Sequence, residues 1–130
     1  MRFAALVPTT AGLLPLPAAA LSLDDARAVR ALQSRLMVAA LKCDDHALHN
    51  PVVARHRGLF PQAERLLRAR QGGRHDRWVA ETANQDSLRA SGLGDDACAD
   101  ARPLTEAALA SPPEGLPALA RARQISWPRP

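Results

Sequence analysis

Apolar residues recur every three or four positions in the first third of the chain, which is the period of one helix face. Ser22 precedes this run and Asp25 follows three residues later, a pattern typical of a capping box at a helix start. The pattern predicts a first helix over residues 23–43, with Cys43 on its buried face. Its apolar positions are Val29, Leu32, Leu36, Ala40 and Cys43.

A second helical pattern covers residues 51–71. Asn50-Pro51 places a capping residue before a proline at the first helical position, and Gly72-Gly73 ends the pattern. Pro61 interrupts it, because proline cannot donate a backbone hydrogen bond. The apolar phase continues across Pro61, so we predict one kinked helix here rather than two short ones.

Three more helices are predicted, and together they define the fold class. A third helix covers residues 75–90, a fourth follows a cap at Asp95, and a short fifth covers residues 114–123. Aromatic residues make up 3% of the chain and tyrosine is absent, so the core must be built from leucine, valine and alanine. This composition favours helices over strands. We therefore expect an all-α bundle of four to five helices.

The first twenty residues resemble a signal peptide. Arg2 gives a positive start, an apolar run follows, and Ala18-Ala19-Ala20 offers the small residues of a cleavage site. The alternative is an uncleaved membrane anchor, but the run is short for a span and contains proline. We expect a signal peptide over 1–20, a helical domain over 21–125 and a loose tail over 126–130.

Cys43 and Cys98 are the only two cysteines. An even number of cysteines in an exported chain favours a disulfide, here from the first helix to the fourth. Closing a loop of this length is worth roughly 4 kcal/mol in the chain-entropy model. A Cys2His2 metal site with His46 and His49 is an alternative, although its ligand spacing is unusual. Two free buried thiols are the third possibility.

The stretch Glu81 to Ser91 is unusually polar for the middle of a helix. We predict a polar packing network, with an enzymatic site on helix 81–89 as the alternative. Glu81 and Asp86 with a histidine could form an acid–base set, but their spacing does not favour it over chance. No recognised catalytic or nucleotide-binding motif occurs in the chain, so we predict that the protein is not an enzyme and carries no cofactor. The network residues are Asn84, Asp86, Ser87 and Arg89.

The net charge of +4 comes almost entirely from arginine, and the segment from Arg55 to Arg77 is the most basic. We interpret this segment as a solvated helix face with at most weak affinity for anionic surfaces. The partner is unknown, and an anionic envelope surface or a periplasmic protein is the alternative that we consider. Nucleic acid is not expected, because an exported protein rarely meets it and no aromatic residues interleave for base stacking. No membrane span is expected after removal of the signal peptide.

Four segments together resemble a family of small exported bacterial proteins with two cysteines. The resemblance implies a helical fold and a shared cysteine pair, and it implies no activity or functional residues. The chain departs from the family where His49-Asn50-Pro51-Val52-Val53 replaces an aromatic segment. The segments are LQSRLMVAALKC, HNPVVARHRGLF, ETANQDSLRAS and ACADARPL.

These features lead us to expect a periplasmic or secreted protein that is a non-enzymatic interaction or structural module. The alternatives are a metal-binding module that uses Cys43, His46, His49 and Cys98, and an enzyme.

The signal-peptide interpretation predicts that the mature protein begins at Leu21, because the small residues end at Ala20. N-terminal sequencing of exported protein tests this prediction, and Met1 retained in the exported form would contradict it.

Overall fold

Helices account for most of residues 21–123, the part of the chain that the computed structural model describes. Four of the helices there are long and two are short, and 3₁₀ turns connect several of them. This confirms the predicted all-α bundle. The predicted signal peptide and tail lie outside the described residues. The helices are α1 (Leu23–Cys43), α2 (Asn50–Arg55), α3 (Leu59–Gln71), α4 (His75–Leu93), α5 (Ala97–Ala110) and α6 (Leu116–Ala122).

Helix α1 is the centre of the bundle and contacts α3, α4, α5 and α6. It begins as predicted, because the Ser22 hydroxyl accepts a hydrogen bond from the Asp25 amide at 3.0 Å. Its buried positions extend well beyond the single predicted stripe. Many of them are alanines, whose small side chains allow neighbouring helices to approach closely. The buried residues of α1 are Ala26, Ala28, Val29, Ala31, Leu32, Ser34, Leu36, Ala39 and Ala40.

The main core lies between α1 and the helices around it. It contains Phe60 and Leu67 from α3, Trp78 from α4, Leu104 from α5 and Leu116 from α6. Burying one such side chain stabilises the fold by about 1.5–3 kcal/mol. A smaller apolar cluster near the end of α1 includes Leu48 and Ala101, with Cys43 packed against it.

The prediction of one kinked helix over residues 51–71 is wrong, because the chain forms two helices there. The break lies at residues 56–58, before Pro61. Pro61 is the third residue of α3, where a backbone N–H has no partner within the helix and proline is tolerated. At the break, the buried His56 ring donates from Nε2 to the Ala108 carbonyl of α5 at 2.7 Å. This tertiary contact holds the end of α2 against α5.

The later helix boundaries also shift from the prediction. Helix α4 continues to Leu93, and Asp95 lies in a 3₁₀ turn rather than capping the next helix. Asp96 occupies the N-cap of α5 without a side-chain hydrogen bond to the helix. The last helix is shorter than predicted, because residues 113–115 form a 3₁₀ turn before it.

The predicted disulfide is confirmed. Cys43 at the end of α1 is bonded to Cys98 near the start of α5, and their Cα atoms are 5.8 Å apart. The bond therefore joins the central helix to a helix that is distant in sequence.

Within residues 21–123, no helix combines the length and apolar character needed to cross a membrane.

Loss of the disulfide should destabilise the protein strongly. Cys43→Ser should lower the free energy of unfolding by roughly 2–5 kcal/mol, as removal of a native bond does in small secreted domains. Cys98→Ser should cost about the same and the double variant little more, because each change removes the same bond. Urea unfolding of the oxidised proteins measures this, with the reduced wild type as control. Additive losses from the two single variants would contradict it.

Candidate functional site

Two of the predicted polar residues of α4 reach neighbouring helices. Asp86 is 6% exposed, and its Oδ1 lies 3.6 Å from Nε of Arg35 on α1. Arg89 Nη1 lies 2.8 Å from Asp100 Oδ2 on α5. Asn84 and Ser87 are exposed to solvent. The structure therefore places one pair of charges between α4 and α1, and a second between α4 and α5.

Burial governs the charge state of Asp86. Burial raises the pKa of the Asp86 carboxyl above its ordinary value of 3.8, while the Ser34 hydroxyl and the Arg35 guanidinium beside it oppose the rise. Burial and the nearby charge of Arg89 lower the pKa of Arg35. The Ser34 hydroxyl is near enough to Asp86 to favour the charged carboxylate, but the contact is not a well-formed hydrogen bond, because Asp86 Oδ2 and Ser34 Oγ both lack a partner of good geometry. The ion pair at 3.6 Å is thus too long to satisfy the carboxylate fully.

A small cavity lies beside these charges. Its volume is about 10 Å³, which is close to the space that one water molecule needs. Charged residues from α1, α4 and α5 line it together with apolar ones. The charged lining residues are Arg35, Asp86, Arg89 and Asp100.

A larger groove of about 320 Å³ runs between the C-terminal parts of α1 and α4. It shares the lining residues Val38 and Ala90 with the small cavity. Leu41 in this groove is 69% exposed, and Leu88, which follows the groove residue Ser87, is 67% exposed. The groove is lined by Val38, Leu41, Lys42, Ser87, Ala90 and Ser91.

A second polar network, which the sequence analysis missed, joins α1, α3 and α4. Arg27 Nε donates to Gln71 Oε1 at 3.3 Å, and Gln71 Nε2 faces His75 Nδ1 at 3.1 Å. His75 Nε2 forms a short contact with Glu64 Oε1, and Arg30 pairs with Glu64 at 3.7 Å. The only sequence signal was polar residues beside glycines, which resembles an ordinary helix end.

The directions of these hydrogen bonds assign the tautomer of His75. Arginine can only donate, so the Gln71 oxygen faces Arg27 and the Gln71 amide group donates to His75 Nδ1. Nδ1 is therefore the acceptor, and Nε2–H donates to Glu64. Both ring nitrogens are engaged and His75 is 2% exposed. This arrangement holds three helices together and leaves neither ring nitrogen facing a substrate.

The structure does not bring the four candidate metal ligands together as a metal site. Cys43 and Cys98 are joined as a disulfide, so neither sulfur is a thiolate available to a metal. His46 is exposed, and His49 Nδ1 lies 2.9 Å from Asn50 Oδ1. Within residues 21–123, no three histidine, cysteine or acidic residues cluster in a way that would hold a metal ion.

The basic segment from Arg55 to Arg77 is spread over an exposed surface. All seven of its arginines are exposed, and one of them, Arg68, lies 3.8 Å from Asp76. Glu64, the other acid of the segment, is engaged in the network with His75.

Comparison of the chain with protein-family models, with curated proteins and with solved structures finds no match. The resemblance to a family of exported two-cysteine proteins therefore stays a prediction.

The raised pKa of Asp86 predicts a specific pH dependence of stability. A carboxyl whose pKa is raised by folding contributes most to stability below its unfolded pKa, about 3.9. That contribution is lost as the pH rises through the folded pKa, since the unfolded state releases its proton first. The unfolding free energy of wild type minus that of Asp86→Asn should therefore decrease as the pH rises above about 4, because only wild type carries the titrating carboxyl.

Urea unfolding at a series of pH values measures this difference. Asp95→Asn is the matched control, because Asp95 is exposed and its difference from wild type should be much flatter with pH. A difference that grows with pH for Asp86→Asn would contradict the prediction.

Proposed function

We propose that this protein is an exported, non-enzymatic interaction module, periplasmic or secreted, whose binding surface is the groove between α1 and α4. The occupant is an amphipathic helical segment of another envelope protein.

The observation that carries the proposal is the exposure of Leu41, which lines this groove. Leu41 and Leu88 are 69% and 67% exposed, and the next most exposed large apolar residue in the described part of the chain, Leu109 on α5, is 37% exposed. An exposed apolar residue that lines a concavity together with other apolar residues is typical of an interaction site, whereas an isolated one is ordinary. Leu41, with Val38 and Ala90 beside it, therefore gives a partner an apolar surface, whereas Leu88 does not line the groove.

The shape of the groove favours a helix as the occupant. On the α4 side its lining residues are the small Ser87, Ala90 and Ser91, and on the α1 side they include Val38 and Leu41. Small residues on one wall leave room for the side chains of an incoming helix. The apolar residues on the other wall give those side chains a surface to pack against.

Two features support an exported location. The disulfide is a bond that oxidising compartments favour, and residues 1–20 resemble a signal peptide. Membership of a family of small exported proteins is part of the same proposal.

The alternative functions have less support in the arrangement of side chains. A metal-binding module would need thiolates from Cys43 and Cys98, which are bonded to each other. An enzyme on residues 81–89 would need an accessible acid–base pair. Asp86 is instead paired with an arginine, and His75 is buried within its network.

Capture from native envelope extract, with the mature protein at a series of concentrations, tests the proposal. Leu41→Ser should weaken capture of the partner by about ten-fold, because it removes apolar burial from the interface. Leu109→Ser is the matched control, and it should capture the partner like wild type. Equal capture by all variants, or no saturable capture by wild type, would overturn the proposal.

A further inference from the structure

We infer that the small cavity between α1, α4 and α5 is a binding site for one ordered water molecule, which bridges Arg35 on α1 to Asp86 on α4. This site is distinct from the groove, and the inference does not depend on the proposed function.

The contact between Arg35 and Asp86 is too long to be a direct hydrogen bond. Nε of Arg35 and Oδ1 of Asp86 are 3.6 Å apart, whereas N–H···O hydrogen bonds in proteins are roughly 2.7–3.2 Å long. At a separation above about 3.5 Å, a water molecule between the two groups can complete the contact.

Two buried atoms of this pair need a hydrogen-bond partner. Neither Asp86 Oδ2 nor Arg35 Nε forms a hydrogen bond with another residue of the described chain, 21–123. The Asp86 side chain is 6% exposed and the Arg35 side chain 17%, so an unpaired donor or acceptor here is costly. One atom is an acceptor and the other a donor, and a single water molecule satisfies both because it donates and accepts at once.

The size of the cavity fits one water molecule. Its volume is about 10 Å³, near the lower limit of roughly 10–15 Å³ for a single water. Pockets for organic ligands are far larger, at roughly 300–1,000 Å³. The cavity is therefore too small for a substrate or cofactor.

The charges around the cavity favour a neutral occupant. Two arginines and two aspartates line it, and they form two ion pairs, Arg35 with Asp86 and Arg89 with Asp100. Since each pair sums to zero, the lining attracts neither a cation nor an anion strongly. A neutral molecule that both donates and accepts hydrogen bonds fits this lining best.

The rest of the lining is apolar, so the two unpaired polar atoms distinguish this cavity from a dry one. Cavities lined only by apolar groups stay dry, whereas those with polar partners take up water. Several of the apolar residues are alanines, whose methyl groups surround the site and report on its occupant. The apolar lining residues are Val38, Ala39, Ala90, Leu93, Ala97 and Ala101.

Water–protein nuclear Overhauser effects, measured on the oxidised mature protein, test the inference. The methyl groups of Ala39, Ala97 and Ala101 should show cross-peaks at the water frequency, with the sign of a long-lived contact. Ala31 and Ala63 are the matched controls, because they are fully buried in the main core, and they should show none. Absent cross-peaks at the three lining methyls, or equal ones at the controls, would overturn the inference.

Ser34→Ala separates a bound water from hydroxyl exchange. The Ser34 hydroxyl lies near Asp86, and its proton exchanges with solvent and can produce a similar signal. The cross-peaks should persist in Ser34→Ala, because the water is held by Arg35 and Asp86. Their loss would assign the signal to the hydroxyl and contradict the inference.

A paired substitution locates the water at Arg35 and Asp86. Arg35→Met combined with Asp86→Leu replaces both charges with apolar side chains, an exchange that buried ion pairs often tolerate. It should remove one long-lived water, counted by oxygen-17 relaxation dispersion. Arg68→Met combined with Asp76→Leu is the matched control, because it replaces an exposed pair of the same residue types at 3.8 Å, and should leave the count unchanged. An unchanged count in the folded Arg35–Asp86 variant would overturn the inference, and if that variant does not fold, the cross-peaks of the wild type decide.

Discussion

The structure depends on the enclosure of α1 by four other helices. A helix at the centre of a bundle must bury residues on most of its circumference, and α1 does so largely with alanine, which allows close approach at little cost in side-chain entropy. The enclosure also brings polar residues of α1 into contact with its neighbours. Arg27, Arg30 and Arg35 are each less than one fifth exposed, so their charged groups need partners on the surrounding helices.

Local pattern was sufficient to predict the helices, but not the contacts that end them. The bounds of α1 follow from its period, the Ser22 cap and the polar residues beyond Cys43, all of which act within a few residues. The break after α2 was placed wrongly because sequence reasoning assigned it to Pro61. The tertiary contact at the break joins His56 to Ala108, 52 residues away, and no local pattern contains such a contact. The disulfide was predictable because it rests on cysteine number and compartment.

The candidate site was predicted only in part for the same reason. Asp86 was identified because aspartate is a poor residue for the middle of a helix, which indicated a specific partner. That partner, Arg35, could not be identified, since arginine is an ordinary residue on a helix surface. The Arg27–Gln71 contact spans 44 residues, and both residues are good helix formers that suggest nothing unusual by themselves. The groove likewise depends on the packing of α1 against α4, which periodicity does not specify.

The two polar networks differ in how completely their hydrogen bonds are satisfied. Around His75, each donor meets an acceptor from Arg27 through Gln71 to Glu64, so the network is complete within the fold. Around Asp86, Oδ2 of the carboxylate and Nε of Arg35 have no hydrogen-bond partner. Buried polar atoms without partners are uncommon in folded proteins, because each costs free energy. Asp86 and Arg35 both line the small cavity between α1, α4 and α5, so the incompletely satisfied charges lie at a gap in the packing of these three helices.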